Sequence, residues 1–398
     1  MKLRFPSDLS PNPLASLLAQ KRALGIDVLD LTESNPTLAG FHYPEDQITR
    51  ALSSPAILRY EPHPRGAFET RMAVAEYFRT RGLAMDPDRM HLTASSSESY
   101  SFLFKLLTQP GDAVLAPSPS YPLVEHLAAM EAVETIPYPI RGTGSNSWRI
   151  HLPALENAWT PNCKAIVVIN PNNPTGNYLQ REESDSLVRF CAERDMAIIS
   201  DEVFFFYPLA TTIPSITHNA VSMLDATPTA LVFTLGGMSK MLALPQLKLG
   251  WIASAGPTGP LKTALERLDL IADTYLSVNT PVQRAARELL RDVDVVQSEI
   301  RGRCVKNLDA LLRASTRLLS SRTIPPEAGW SAIVRLDDDV DEEKVVLRLL
   351  SEFNVLVHPG FFFDFDHGSC IVLSLLPPPE RFDEGLRRIE KFLTLARI

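Results

Sequence analysis

Three groups of residues in this sequence could act together chemically, because each follows a short apolar run typical of a buried strand. The first is Asn-Pro-Asn-Asn-Pro-Thr-Gly at residues 170–176, a proline-stiffened turn that presents several amides. The second is Asp201, a carboxylate at the end of the next apolar run, and the third is a small-residue loop at 236–240 that ends on Lys240. We expect the catalytic surface at the carboxyl ends of these strands, where the three groups lie.

Each of these groups alone has an ordinary explanation. The turn could be a plain strand exit, Asp201 a surface acid, and a lone lysine such as Lys240 is most often a solvated surface residue. Their order favours a functional interpretation, since all three follow strands. The carboxyl ends of parallel strands meet at one edge of a sheet, which is where such folds bind ligands.

The elements that must position these groups are strands alternating with helices. Apolar runs predict strands at 113–116, 165–170, 197–201 and 231–235. Between two of them, Leu187, Val188 and Cys191 repeat at helical spacing within 182–194. This alternation predicts an α/β protein with a mostly parallel sheet.

A different pattern begins near residue 285. It predicts long helices over 284–312, strands at 331–336 and 370–375, and helices over 341–353 and from 380 onward. We therefore expect a large domain at 46–284, and a smaller α+β domain formed by 1–45 and 285–398.

Composition excludes several classes of function. The 398 residues include 39 Lys and Arg against 47 Asp and Glu, dispersed along the chain, which argues against nucleic acid as a partner. With 45% hydrophobic and 22% charged residues, the chain has the makeup of a globular protein. No apolar run approaches the roughly 18 residues of a membrane span, and the first residues do not resemble a secretory signal. We expect a cytoplasmic protein with reduced cysteines.

Weaker motifs are given ordinary interpretations. Arg-Gly-Thr-Gly at 141–144 begins like a dinucleotide-binding loop but lacks the third glycine. Asp364, Asp366 and His367 lie in a predicted loop without further ligands, so we predict no metal site. The acidic run at 337–343 is typical of a solvated loop and helix start.

The order of the three groups resembles the fold-type I pyridoxal-phosphate enzymes, in particular the class I/II aminotransferase family, over nearly the whole chain. The resemblance implies a mostly parallel sheet in a large domain, with a smaller α+β domain. It implies that Lys240 forms the Schiff base with pyridoxal 5′-phosphate, that Asp201 pairs with the pyridine nitrogen, and that Asn173 binds the phenolic oxygen. Lys248 stands where most members carry a phosphate-binding arginine, so the charge is kept without the bidentate fork.

Further segments carry the same resemblance around the cofactor. Ser95, Ser96 and Ser97 precede a helical run and match the family's phosphate cup, although a plain helix cap is the alternative. Ser239 belongs to the Ser-Lys element and is expected to bind the cofactor. Tyr121 matches the aromatic residue that stacks on the pyridine ring.

Two further segments match family segments that reach the neighbouring subunit and the substrate. Tyr60 matches a tyrosine that reaches the cofactor phosphate of the neighbouring subunit, which implies a homodimer with shared active sites. Ser34 and Asn35 lie in a segment that resembles the one near the substrate.

The sequence also departs from the family pattern. Phe204 replaces a tyrosine that binds the phenolic oxygen, and we expect the lost hydrogen bond to raise the pKa of the Schiff base. Gly237 stands where a serine is common in the phosphate cup. Val372 occupies the register of the arginine that binds the substrate's α-carboxylate. Arg65 or Arg335 could replace that arginine, but no spacing argument selects either.

Three functions are consistent with these observations. The favoured one is a pyridoxal-phosphate-dependent aminotransferase that moves an amino group between a small-molecule amine and a 2-oxo acid. Another enzyme with the same cofactor, such as a C–S β-lyase, a cyclase or a synthase, is an alternative that Phe204 and Val372 make more credible. A non-catalytic protein that binds the cofactor is the third.

Overall fold

The computed structural model describes residues 10–143, 147–209, 220–225, 228–291, 293–318, 323–337, 340–365 and 368–396. Its helices are α1 (Pro13–Ala23), α2 (Glu45–Leu52), α3 (Phe68–Arg79), α4 (Ser96–Leu107), α5 (Leu123–Met130), α6 (Leu152–Ala158), α7 (Arg181–Ala192), α8 (Met238–Met241), α9 (Thr258–Tyr275), α10 (Thr280–Arg291), α11 (Val293–Leu318), α12 (Glu342–Phe353) and α13 (Pro379–Ala396). Its strands are β1 (Leu29–Asp30), β2 (Met90–Thr93), β3 (Ala113–Ser118), β4 (Glu134–Thr143), β5 (Ser147–Ile150), β6 (Cys163–Ile169), β7 (Ala197–Asp201), β8 (Val232–Gly237), β9 (Gly250–Ala255), β10 (Ser331–Arg335), β11 (Val355–Leu356), β12 (His358–Pro359) and β13 (Cys370–Ser374).

The central sheet has eight strands in the order β2-β9-β8-β7-β6-β3-β4-β5. The five adjacent strands β8, β7, β6, β3 and β4 pair in parallel, whereas β9 and β5 run antiparallel to their neighbours. The prediction of a mostly parallel α/β sheet is confirmed, and the predicted strand at 165–170 is Cys163–Ile169.

Helices cover both faces of this sheet, which explains why its inner strands read as continuous apolar runs. On β6, Val167 packs in a cluster with Leu103 of α4 and Leu268 of α9. The next residue, Val168, points to the other face and packs with Leu187 of α7. Consecutive residues of a strand face opposite sides, so both must be apolar here.

The parallel register brings the predicted chemical groups to one edge. Ile169 at the end of β6 pairs with Asp201 at the end of β7, and Asp201 pairs with Leu235 of β8. The turn at 170–176 follows β6, and α8, which carries Lys240, follows β8. All three groups therefore leave the sheet at the same edge.

A second, antiparallel sheet has the order β10-β13-β12. Its apolar cluster includes Ile300 of α11, Leu349 of α12 and Phe382 of α13, together with Leu31 from the N-terminal segment. The N-terminal strand β1 pairs with β11, so the first elements of the chain pack with the last ones. Helix α10 packs against α2 and α3, and the domain boundary expected at residue 284 falls within it.

Within the described residues, no helix is long and apolar enough to cross a membrane. In that part of the chain no three His, Cys, Asp or Glu residues are grouped to hold a metal ion. Asp366 and His367 lie outside the described residues, as do Gly144 and residues 338–339 of the acidic run. The four cysteines are buried free thiols, Cys163, Cys191, Cys304 and Cys370.

Candidate active site

A cavity of about 350 Å³ opens where the central sheet ends and the small sheet faces it. It brings together most of the residues selected from the sequence: Ser34, Ser95, Ser96, Ser97, Tyr121, Asn173, Asp201, Ser239, Lys240 and Lys248. These residues come from distant parts of the chain, so their convergence is a property of the fold.

Lys240 lies in an aromatic corner of this cavity. Its Nζ is 5.3 Å from the centroid of the Trp330 ring and 5.5 Å from that of Phe204. The Tyr207 hydroxyl donates to the backbone carbonyl of Lys240 at 2.7 Å, which fixes the short helix that carries the lysine. Burial lowers the pKa of Lys240, while the Asp201 charge acts in the opposite direction. A lowered pKa makes the lysine a more available base.

Asp201 faces the cavity from the end of β7. Burial raises the pKa of Asp201 to about 6, although the Val203 N–H donates to its Oδ1 at 3.2 Å and favours the charged form. Burial also raises the pKa of the nearby Tyr100 hydroxyl, and the Asp201 charge raises it further. A carboxylate in such a desolvated position would be stabilised by a cation brought into the cavity.

The other end of the cavity is built to hold an anion. Ser95 caps α4 by accepting from the Glu98 N–H at 3.2 Å, and Ser96 and Ser97 form the first turn of the helix. The lack of a side chain at Gly250 lets β9 lie close to the segment that leads into α4, because a Cβ there would lie 3.0 Å from the Thr93 Oγ1. A helix N-terminus with free N–H groups favours negative charge.

Several hydrogen-bond donors that line the cavity have no partner among the described residues. In the described part of the chain, the side chains of Ser96, Ser97, Ser239 and Lys248 make no hydrogen bond or ion pair. Polar groups collected around a cavity without internal partners are suited to an external ligand.

The turn at 170–176 connects the cavity to the small sheet. The Gly176 carbonyl accepts from the Ala328 N–H at 2.9 Å and from the Glu327 N–H at 3.1 Å. This contact holds the segment that leads into Trp330 and Ser331, both of which line the cavity. The Ser331 hydroxyl lies 3.4 Å from Oδ1 of Asn173.

Two residues selected from the sequence lie outside the lining. Asn35 was expected near the substrate, but its Oδ1 accepts from the backbone N–H and the hydroxyl of Thr37, so its side chain serves a local turn. Tyr60 is 65% exposed and does not line the cavity of its own chain. The segment around Asn35 still contributes Ser34.

The cavity also includes residues that were not selected from the sequence: Thr32, Tyr100, Trp330, Ser331, His358 and Ser374. Tyr100 follows Ser96 by four residues, so helical spacing could have placed both on one face of α4. The others enter from the N-terminal segment and the small sheet, where no local spacing points to the central sheet.

Comparison with protein families shows which family the chain belongs to. The model described as "Aminotransferase class I and II" matches residues 26–389. The chain belongs to the class I and II aminotransferase family.

Individual aminotransferases are similar over almost the full length. The glutamate-pyruvate aminotransferase AlaA of Haemophilus influenzae is 25% identical, over 93% of this chain and 91% of the relative. The alanine aminotransferase of Mycobacterium tuberculosis is 27% identical, over 97% of this chain and 90% of the relative. The solved alanine aminotransferase from Pyrococcus furiosus superposes with a TM-score of 0.85 at 26% identity, covering 96% of this chain and 97% of that one.

The protein is therefore a pyridoxal-phosphate-dependent aminotransferase with a fold-type I architecture. The donors of the cavity fit this cofactor. The serine hydroxyls without partners, the N-terminus of α4 and Lys248, which lines the same cavity, suit a phosphate. The desolvated Asp201 suits a protonated ring nitrogen. The departure at residue 204 is also present in the structure, where Phe204 offers a ring without a hydroxyl.

Proposed function

We propose that Lys240 is the residue of this aminotransferase that binds pyridoxal 5′-phosphate covalently. The observation that carries the proposal is the position of its Nζ, between two aromatic rings in a cavity that Asp201 also lines. Burial lowers the pKa of Lys240, which increases the fraction of neutral, nucleophilic amine.

The remaining lining residues are proposed to hold the rest of the cofactor. Ser95, Ser96, Ser97, Ser239 and Lys248 bind its phosphate through hydroxyls, helix N–H groups and one fixed charge. Asp201 binds the ring nitrogen, Asn173 the phenolic oxygen, and Tyr121 stacks on the ring, since each lines the same cavity.

The cofactor supplies an electron sink for reactions at the carbon that bears the substrate's amino group. Asp201 keeps a proton on the ring nitrogen, which its ionised form stabilises by charge. Lys240, once it is free, would act as the general base that takes the proton from the substrate carbon, and as the acid that returns it in the reverse reaction, so one side chain would serve both directions of amino transfer. The aromatic rings of Phe204 and Trp330 exclude water from this amine.

The proposed substrates are a small α-amino acid donor and a 2-oxo acid acceptor. The names of the two relatives support alanine, glutamate and pyruvate as the first compounds to test. The cavity of about 350 Å³ must hold both cofactor and substrate, which favours a small substrate.

We also propose a cytoplasmic homodimer with shared active sites. Leu58, Tyr60, Tyr275 and Leu276 are 87%, 65%, 48% and 69% exposed, and Tyr60 is free to reach the cavity of a second copy. A contiguous patch of exposed apolar residues is typical of an interface. The division into domains at 46–284, and at 1–45 with 285–398, is likewise a proposal.

Covalent attachment is the test of this proposal. We expect Lys240→Ala to lose the cofactor that borohydride reduction fixes to the chain, as measured by the mass of the intact protein. Lys248→Ala is the matched control, which should keep the covalent link but weaken cofactor binding by roughly 10- to 100-fold, because it removes one charged contact. Retention of the covalent cofactor in Lys240→Ala would refute the assignment.

A further inference from the structure

A 2-oxo acid or α-amino acid brings a carboxylate into the cavity, and a carboxylate in a partly desolvated site needs a cation or strong donors. Apart from His358, the basic side chains among the described lining residues are Lys240 and Lys248. The proposed function assigns both of them to the cofactor. A different group must therefore meet the substrate's carboxylate.

The two arginines considered as substitutes do not face the cavity. Arg65 donates from Nε and Nη2 to the carboxylate of Asp269, at 2.7 and 2.6 Å. Arg335 lies over the Trp148 ring, with its guanidinium carbon 5.7 Å from the ring centroid. Neither of them lines the cavity.

Strand register identifies a nearer group. Val372, which stands in place of the family's arginine, pairs directly with His358 on β12. Directly opposed residues in an antiparallel pair project to the same face, with Cβ atoms about 4.5–5.5 Å apart. Both Val372 and His358 line the cavity. An imidazole on the neighbouring strand therefore faces the region that an arginine at 372 would reach.

The imidazole of His358 is not engaged elsewhere. Its ring packs near Phe362 and Phe363, with centroids 5.8 and 5.9 Å away, and in the described part of the chain it makes no hydrogen bond or ion pair.

Two hydroxyls of the cavity lining have partners elsewhere. Thr32 donates to Asp30 at 2.6 Å, and Ser374 donates to the Glu33 carbonyl at 2.6 Å. These two side chains are occupied in positioning the N-terminal segment.

We propose that His358 is the residue that binds the substrate's carboxylate, as a protonated imidazole that takes up one proton from solvent when the carboxylate binds. The proposal rests on the proposed function, because it needs a carboxylate substrate beside Lys240. It defines the substrate class as acids whose binding is linked to proton uptake, unlike recognition by a permanently charged arginine.

The electrostatics of His358 agree with this role. Burial lowers the pKa of His358, and the Asp30 charge on β1 opposes that shift. Helix α12, which packs against β12, carries Glu342, Glu343, Lys344, Arg348 and Glu352, and β13 carries Cys370. The titratable groups that share the cavity with His358 are Tyr100, Tyr121, Asp201, Lys240 and Lys248. Burial therefore favours the neutral imidazole in the free site, and a bound carboxylate favours the charged form.

The holoenzyme with bound propionate, a carboxylate that lacks an amino group, isolates this step. We expect calorimetry in buffers of different ionisation enthalpy to report about one proton taken up per propionate near neutral pH. His358→Gln keeps a donor but cannot be charged, so proton uptake should vanish. Binding without proton uptake in the wild type would overturn the proposal, and this measurement requires no variant to fold.

Kinetics give a second readout. We expect His358→Phe to raise KM for alanine and pyruvate by roughly 10- to 100-fold, with a much smaller change in kcat, as for the loss of one charged hydrogen bond. His42→Phe, which changes a histidine whose side chain is 93% exposed, is the matched control and should leave KM unchanged. Introducing Val372→Arg into His358→Phe should restore a low KM that no longer depends on pH.

The outcomes separate the two proposals. An unchanged KM in a folded His358→Phe enzyme refutes the role of His358 and leaves the aminotransferase assignment intact. Faster reaction of the wild type with benzylamine than with alanine does the same. If no amine converts the lysine-bound cofactor to its pyridoxamine form, the proposed function is refuted. The propionate experiment would still report on the role of His358 in that case.

Discussion

Phe204 packs edge-on against Trp330, with ring centroids 5.1 Å apart, and the amine of Lys240 lies over both rings. The two rings come from distant parts of the chain and enclose the amine in an apolar corner. In that corner residue 204 supplies packing without a hydroxyl. Because Phe204 cannot donate a hydrogen bond, we expect this departure from the family pattern to change the pKa of the cofactor bound to Lys240.

Restoring the hydroxyl at this position tests its effect. In Phe204→Tyr we expect the added hydroxyl to donate a hydrogen bond to the phenolic oxygen of the lysine-bound cofactor. We expect the pKa of the lysine-bound cofactor, followed by visible absorbance, to fall by about one unit, which corresponds to about 1.4 kcal/mol.

Tyr138→Phe is the matched control for that variant. The Tyr138 hydroxyl donates to the Val167 carbonyl at 2.8 Å and lies outside the lining, so its loss should cost about 1 kcal/mol of stability and leave the titration unchanged. An unchanged or raised pKa in Phe204→Tyr would show that residue 204 does not face the ionising group.

Much of the site could be predicted because it depends on local sequence. Asp201 ends a strand, and Asn173 and Lys240 each follow one within a few residues. Parallel pairing brings these strand ends to one edge whatever the rest of the chain does. Ser95 could be predicted in the same way, because it precedes a helical run and caps α4.

Other features depend on contacts between distant segments. Trp330 and His358 reach the cavity through the packing of the small sheet, which no periodicity encodes. The local role of the Asn35 side chain was not predicted, because its amide oxygen can satisfy a local turn as readily as a ligand. The pairing of His358 with Val372 depends on cross-strand register, which the sequence of either strand alone does not determine.

The contact at Gly176 is predicted to be sensitive to a single methyl group. Gly176 has φ +71°, and a Cβ there would lie 2.4 Å from the Pro326 Cβ and 2.5 Å from the Ala328 carbonyl oxygen. We expect Gly176→Ala to lower the free energy of unfolding by roughly 2–4 kcal/mol, from backbone strain and overpacking together. Denaturant titration measures this change.

Gly25→Ala separates the two causes. Gly25 has a similar φ of +68°, but no atom lies within 4 Å of the position that a Cβ would occupy, so its substitution should cost about 1 kcal/mol from backbone strain alone. Because the Gly176 contact also holds the segment before Trp330, Gly176→Ala should weaken substrate binding as well, whereas Gly25→Ala should not. Equal losses of stability in the two variants would contradict the importance of this contact.

Glu202 gives the protein a pH-dependent stability that is independent of the proposed chemistry. It follows Asp201 but points away from the cavity, where it accepts from the Ser222 hydroxyl at 2.5 Å and the Met223 N–H at 2.8 Å. Burial raises the pKa of Glu202 to about 7 despite these donors. The folded protein therefore retains a proton on Glu202 that the unfolded chain loses above its ordinary pKa of 4.5.

The sign of the effect follows from proton binding. Between pH 4.5 and about 7 the folded state binds more protons than the unfolded state, so stability falls as pH rises through this range. Asp201, with a pKa of about 6, contributes in the same direction at lower pH. Between pH about 6 and about 7, Glu202 should account for a loss on the order of 1 kcal/mol.

Denaturant titration of the cofactor-free protein at these two pH values measures the loss. Glu202→Gln cannot ionise, so its stability should change less than that of the wild type over the same interval, although the amide satisfies fewer of the surrounding donors and lowers stability overall. The exposed Glu182→Gln on α7 controls for the removal of one charge. If the wild type and Glu202→Gln lost stability equally, the buried carboxyl would have to be ionised in the folded protein at both pH values, and its hydrogen bonds would then have to outweigh its burial.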